Sequence, residues 1–69
     1  MPLTLAAPGQ SHVIQKLTGK DETRRFLENL GFLVGETVTV ISEINGNVII
    51  KIKESRVALD KSMASRIMV

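Results

Sequence analysis

Cysteine is absent from this chain, so neither a disulfide nor a thiolate metal site can staple it. Tryptophan and tyrosine are absent too, which leaves Phe26 and Phe32 as the whole aromatic complement. Their scarcity excludes an aromatic-lined groove for proline-rich peptides and the stacking platforms on which single-stranded nucleic acid lies. His12 is the sole imidazole, and with no cysteine or tyrosine nearby a nucleophilic triad is not expected. We therefore expect no enzyme and no cofactor. No apolar run approaches the roughly 18 residues of a membrane span, and no basic leader precedes one, so the expectation is a soluble cytoplasmic protein without membrane insertion. Charge of one sign is also lacking: nine Lys and Arg stand against seven Asp and Glu, interspersed, for a net +2. Nucleic-acid binding needs a clustered basic face, and none is visible. Lys51, Lys53 and Arg56 read as the solvated side of two strands.

What is present is aliphatic. Hydrophobic residues make up 43% of the 69 residues, rich in the valine and isoleucine that suit strands, and the length is that of one domain, residues 1–69. Among these β-like runs one stretch has a helical period. Thr23, Phe26, Leu27 and Leu30 fall at the spacing of one helix face, with Arg24, Arg25, Glu28 and Asn29 opposite, and this predicts an amphipathic helix over about 21–30. Asp21 is expected to cap its start, and Gly31 to close its end in the left-handed conformation while Phe32 reaches back onto Leu27. A helix this short is marginal alone, so its apolar face is expected to lie on a sheet.

The strands follow from alternation. Leu3 and Leu5 at strand spacing lead to a Pro8-Gly9 turn, and Ser11 to Leu17 is expected as a strand. Glu36 to Ser42 and Asn47 to Lys53 form a pair, with Val38, Val40, Val48, Ile50 and Ile52 on one buried face. Asn45-Gly46 invites a two-residue turn, which would set Val40 against Lys51 and mix apolar with charged rows. An odd loop, or else a bulge, restores Val40 opposite Ile50 and Val38 opposite Ile52; the odd loop is the expected form. A turn at Glu54-Ser55 would then pair Ile52 with Val57 and Ile50 with Leu59. Asp60 caps a helical turn near 61–66, and Ile67 to Val69 is a last short strand pairing with the first. Together these give a mainly β fold, a small, strongly bent sheet closed on itself.

Chemistry has few candidates. His12 reads as an ordinary strand-surface histidine, and no spacing of His, Asp and Glu demands a metal. Met63 and Met68 read as fillers of core gaps. Arg24 and Arg25 lie early in the helix, where cations oppose the dipole, and Leu33 beside them is apolar and outward. Local rules are broken most often at functional sites, so Arg24, Arg25 and Leu33 are the candidate partner-binding face.

The run from Arg25 to Val40 resembles the arginine-Leu-x-x-Leu-Gly-hydrophobic-x-x-Gly pattern of the FeoA family of ferrous iron transport proteins. Val57-Ala58-Leu59-Asp60, Met63-Ala64 and Ile67-Met68-Val69 are similar to that family's closing pattern, and Gly9 with Ile14 to its opening. Departures are Phe26 for the usual leucine and Glu54 where glycine is frequent. The resemblance implies an SH3-like β-barrel of about five strands. It also implies an accessory or regulatory role in ferrous iron uptake, by contact with the cytoplasmic part of the FeoB-type membrane GTPase transporter. The alternative it implies is a metal-binding or metal-sensing module, related to the C-terminal domain of iron-dependent repressors.

Overall fold

The alternating runs pair as the apolar pattern requires, in a computed structural model describing residues 1–69. A 3-10 turn over Leu3–Leu5 opens the chain, followed by β1 (Ser11–Val13), β2 (Lys16–Leu17), α1 (Asp21–Asn29), β3 (Thr37–Ile44), β4 (Asn47–Ile52), β5 (Ser55–Asp60), α2 (Lys61–Ala64) and β6 (Ile67–Met68). The fold is mainly β, as expected, but its six strands form two open sheets rather than one closed on itself. One is ordered β1-β3-β4-β5 and the other β2-β6. The expected strand over Ser11 to Leu17 is divided between them. At Ile14 the backbone still exchanges hydrogen bonds with the Gly35–Glu36 segment, whereas the Gln15 N–H already donates to Met68 O at 2.7 Å. One extended segment thus passes from the larger sheet to the smaller.

Parity is restored in β3–β4 by a bulge, not by an odd loop. Asn45 and Gly46 have φ of 50° and 81°, positive at both central positions as a two-residue type I′ turn demands. The register then slips between Val40 and Ser42, which leaves Ile41 as the extra residue and sets Val40 opposite Ile50 and Val38 opposite Ile52. All five residues expected on the inner face are buried. The next turn lies at Lys53-Glu54, one residue earlier than expected, so Ile50 faces Val57, Val48 faces Leu59 and Lys51 faces Arg56. This register slides β5 by two positions without changing its faces and gives Val48 an apolar partner. Its cost is a positive φ of 54° at Lys53, a residue with a Cβ.

Helix α1 ends as its sequence requires. Gly31 takes φ 105°, the Phe32 N–H donates to Leu27 O and the Gly31 N–H to Glu28 O, the paired bonds of a Schellman stop. Its start differs. Lys20 is the capping residue and has no side-chain bond; Asp21 is the first helical residue, and its carboxylate pairs with Arg24 one turn on. The expected apolar face is also narrower than its spacing suggested. Leu27 is fully buried and Thr23 half-buried, but Phe26 and Leu30 remain exposed. A core this small meets the helix along one line of contact, so Phe26 and Leu30, about 100° and 60° round the helix from Leu27 on the same side, fall outside it.

The lead-in residues coil instead of forming a strand, which buries Leu3 and exposes Leu5. Asp60 caps α2 by accepting from the Met63 N–H at 2.7 Å, and α2 lies against β4, β5 and the 3-10 turn. Strand β6 pairs with β2, and the Met1 amino group donates to Val69 O. Leu3, Ile14, Leu27, Phe32, Ile50 and Ile67 are among the fully buried side chains of the single core, with Met63 packed at its edge.

Candidate functional site

The Schellman stop fixes what the surface presents beyond α1. Past Phe32, which is pulled inward, the chain is tied down on both sides: the Leu33 N–H donates to Gly31 O at 3.0 Å, the Glu36 N–H to Leu33 O at 3.0 Å and the Gly35 N–H to Ile14 O at 2.9 Å. Held this way, Leu33 and Val34 are 42% and 64% exposed, next in sequence to a helix end where Phe26 is 48% and Leu30 38% exposed. Four large apolar side chains within nine residues are therefore open to water. Single exposed leucines are ordinary, and four large apolar side chains exposed this close together in sequence make the end of α1 the candidate contact surface.

The candidate arginines lie on the other flank of the same helix. At about 100° per residue, Asp21, Arg24, Arg25 and Glu28 project away from Phe26 and Leu30, and these four line a shallow cleft of about 190 Å³. Within it Arg24 is bound to Asp21, while Arg25 is in no ion pair. The opposition between Arg24 and the helix dipole is thereby offset locally, and Arg25 is the freer of the two cations. Of the three residues singled out by sequence, Arg24 and Arg25 are brought together, and Leu33 belongs to the apolar run. Phe26, Leu30 and Val34 were missed because helical spacing assigned the first two to the core; the smallness of that core was the available signal.

His12 is not the surface residue expected of it. The β1–β3 register sets it opposite Val38 on the inward row, between the outward Ser11 and Val13, and its Nε2 is buried without a hydrogen-bond partner. No three His, Asp or Glu side chains converge on a point that a metal ion could occupy.

A second cleft, about 410 Å³ in volume, opens on the outward face of the larger sheet. Ser11, Gly35, Glu36, Thr37, Thr39, Lys51 and Lys53 line it, without one hydrophobic side chain. Lys53 Nζ stands 3.5 Å from Glu36 Oε1, and the Ser11 and Thr39 hydroxyls are hydrogen-bonded at 2.9 Å.

Comparison with known proteins identifies relatives along the whole chain. The FeoA domain family model matches residues 1–69. A protein of Methanocaldococcus jannaschii, provisionally named Fe(2+) transport protein A, is 32% identical over 68 residues, covering 99% of this chain and 83% of the relative. Among solved structures, zinc-complexed FeoA of Stenotrophomonas maltophilia, described as a prokaryotic SH3 domain protein, superposes with a TM-score of 0.85 at 26% identity, over 99% of this chain and 87% of that one. A manganese-dependent transcriptional repressor shares the fold alone, with a TM-score of 0.86 at 17% identity, over 97% of this chain and 39% of the repressor. The SH3-like architecture implied by the sequence is thus shown.

Proposed function

The chain belongs to the FeoA family, and on that premise we propose that it serves ferrous iron uptake as a small cytosolic accessory protein, docking on the cytoplasmic part of a FeoB-type membrane transporter. The observation that carries this reading is the exposed apolar run of Phe26, Leu30, Leu33 and Val34 around the end of α1. The apolar run supplies an anchor for an apolar pocket of the partner, and Arg25, on the opposite flank of α1 and outside any ion pair, is the cation able to meet a carboxylate of a partner that reaches around the helix. Arg24 contributes through the cluster it forms with Asp21. No helix is long and apolar enough to cross a membrane. The metal-sensing alternative has less to build on, because the one imidazole is turned inward and no carboxylates gather around it.

The test is a pull-down against the cytoplasmic domain of a ferrous iron transporter from the same organism. Leu33→Asp and Arg25→Glu are expected to weaken capture, a truncated anchor typically costing about 2 kcal/mol or more of affinity, while thermal melts show both variants folded. Lys51→Glu and Lys53→Glu are expected to bind as before. Loss of capture in the lysine variants alone would move the docking face to the strands and overturn the assignment.

A further inference from the structure

The outward face of the larger sheet carries a charge arrangement that folding does not ask for. Strand register aligns Ser11, Thr39, Lys51 and Arg56 in one row across β1, β3, β4 and β5. Lys51 and Arg56 are direct cross-strand partners, and like charges in that position destabilise a sheet. Nothing nearby neutralises them, since the ion pairs of the molecule are Arg24–Asp21, Lys53–Glu36 and Lys61–Glu43. Three cations, Lys51, Lys53 and Arg56, therefore share this face, where Glu36 is already paired with Lys53 and Asp60, at the far end of β5, is engaged as the cap of α2. Beside them the outer cleft of about 410 Å³ adds the hydroxyls of Ser11, Thr37 and Thr39.

We propose that this cleft is a binding site for the phosphoryl group of a small phosphate-bearing molecule. Lysine ammonium groups and hydroxyls are the donors that phosphoryl oxygens accept from, and Arg56, outside the lining of the cleft but paired across the sheet with Lys51, offers a bidentate fork at its border, while the one carboxylate in the lining, Glu36, is paired with Lys53. A phosphate dianion placed against Lys51 and Arg56 turns their repulsion into shared attraction. An acidic protein segment fits less well, because a cleft without a hydrophobic side chain offers no apolar pocket for the anchors that dominate protein interfaces. The site is separate from the α1 end and does not depend on the transporter partnership.

Two-dimensional amide NMR of the whole chain, at constant ionic strength, tests the proposal with inorganic phosphate, a nucleoside monophosphate and a hexaglutamate peptide as probes. Saturable shifts confined to Ser11, Gly35 to Thr39, Lys51 to Lys53 and Arg56 are expected with phosphate. Tighter binding of the nucleoside monophosphate would support an organic phosphate ester as the ligand, and equal binding the free ion. Lys51→Gln and Arg56→Gln should each weaken the titration about tenfold, as removal of one charge-assisted contact does, whereas Lys16→Gln on the other sheet should not. Unsaturating shifts spread over all lysine and arginine amides would overturn the proposal. So would a titration unchanged in both Gln variants, or saturation by hexaglutamate alone.

Discussion

Helix α1 with its following loop and the strand stack β3–β4–β5 treat their apolar residues in opposite ways. In the stack, the inward Val38, Val40, Val48, Ile50, Ile52 and Leu59 are all buried, and Ile44, beside the β3–β4 turn, is its one large apolar side chain left exposed. In the helix and loop, Leu27 and Phe32 are buried while Phe26, Leu30, Leu33 and Val34 stay open. The difference is one of geometry. A strand alternates with period two, so every second side chain meets the core whatever the size of the domain. A helix spreads its apolar positions over an arc, and a core this small covers only part of it. Apolar residues beyond that arc are not required for folding, which leaves them available for a partner.

The sharpest way to break this contrast is to truncate the buried leucine of the helix and then its exposed one. Leu27→Ala is expected to cost about 2–5 kcal/mol, the usual range for a buried leucine. Against the roughly 3–5 kcal/mol of net stability such a small core supplies, a thermal melt should find the variant largely unfolded. Asp60→Ala tests the far end of the stack, where the carboxylate accepts from the Met63 N–H; loss of the cap should cost about 1 kcal/mol in urea unfolding. Leu30→Ala, at 38% exposure, is expected to shift stability by only about 0.5 kcal/mol. A Leu30→Ala melt as low as that of Leu27→Ala would mean that both positions are core and the contrast is false. Smallest of all, His12→Leu removes the one polar side chain whose buried nitrogen finds no partner on the inward row. It should leave stability unchanged or raise it by up to about 1 kcal/mol, because replacing an unsatisfied buried group by an apolar one of similar shape removes a desolvation penalty.

Several short-range rules were legible in the chain itself, though not the start of α1, where Lys20 and not Asp21 is the capping residue. Gly31 and Phe32 announced the helix stop and Asp60 the cap of α2, whereas the type I′ turn that Asn45-Gly46 invited was set aside for an odd loop and is nonetheless present. Parity alone required a correction to the β3–β4 pairing and so anticipated Val40 opposite Ile50. The form of that correction was not legible: a bulge at Ile41 keeps the favourable Asn45-Gly46 turn intact, which an odd loop would have given up. The same holds for the site, where exposure of Leu33 followed from its place after the stop, but that of Phe26 and Leu30 did not.

By itself, then, the sequence determined the periodic elements, the stop of α1, the cap of α2, the aliphatic core and the family pattern, because each depends on neighbours a few residues away. Only the tertiary structure decided how much of α1 the core covers, which way His12 points, where β1 hands over to β2, and that Lys51 meets Arg56 across the sheet. Those outcomes depend on how far one element slides past another and on the width of the core. A register shift of two residues preserves every alternation in the chain while changing each residue's partner.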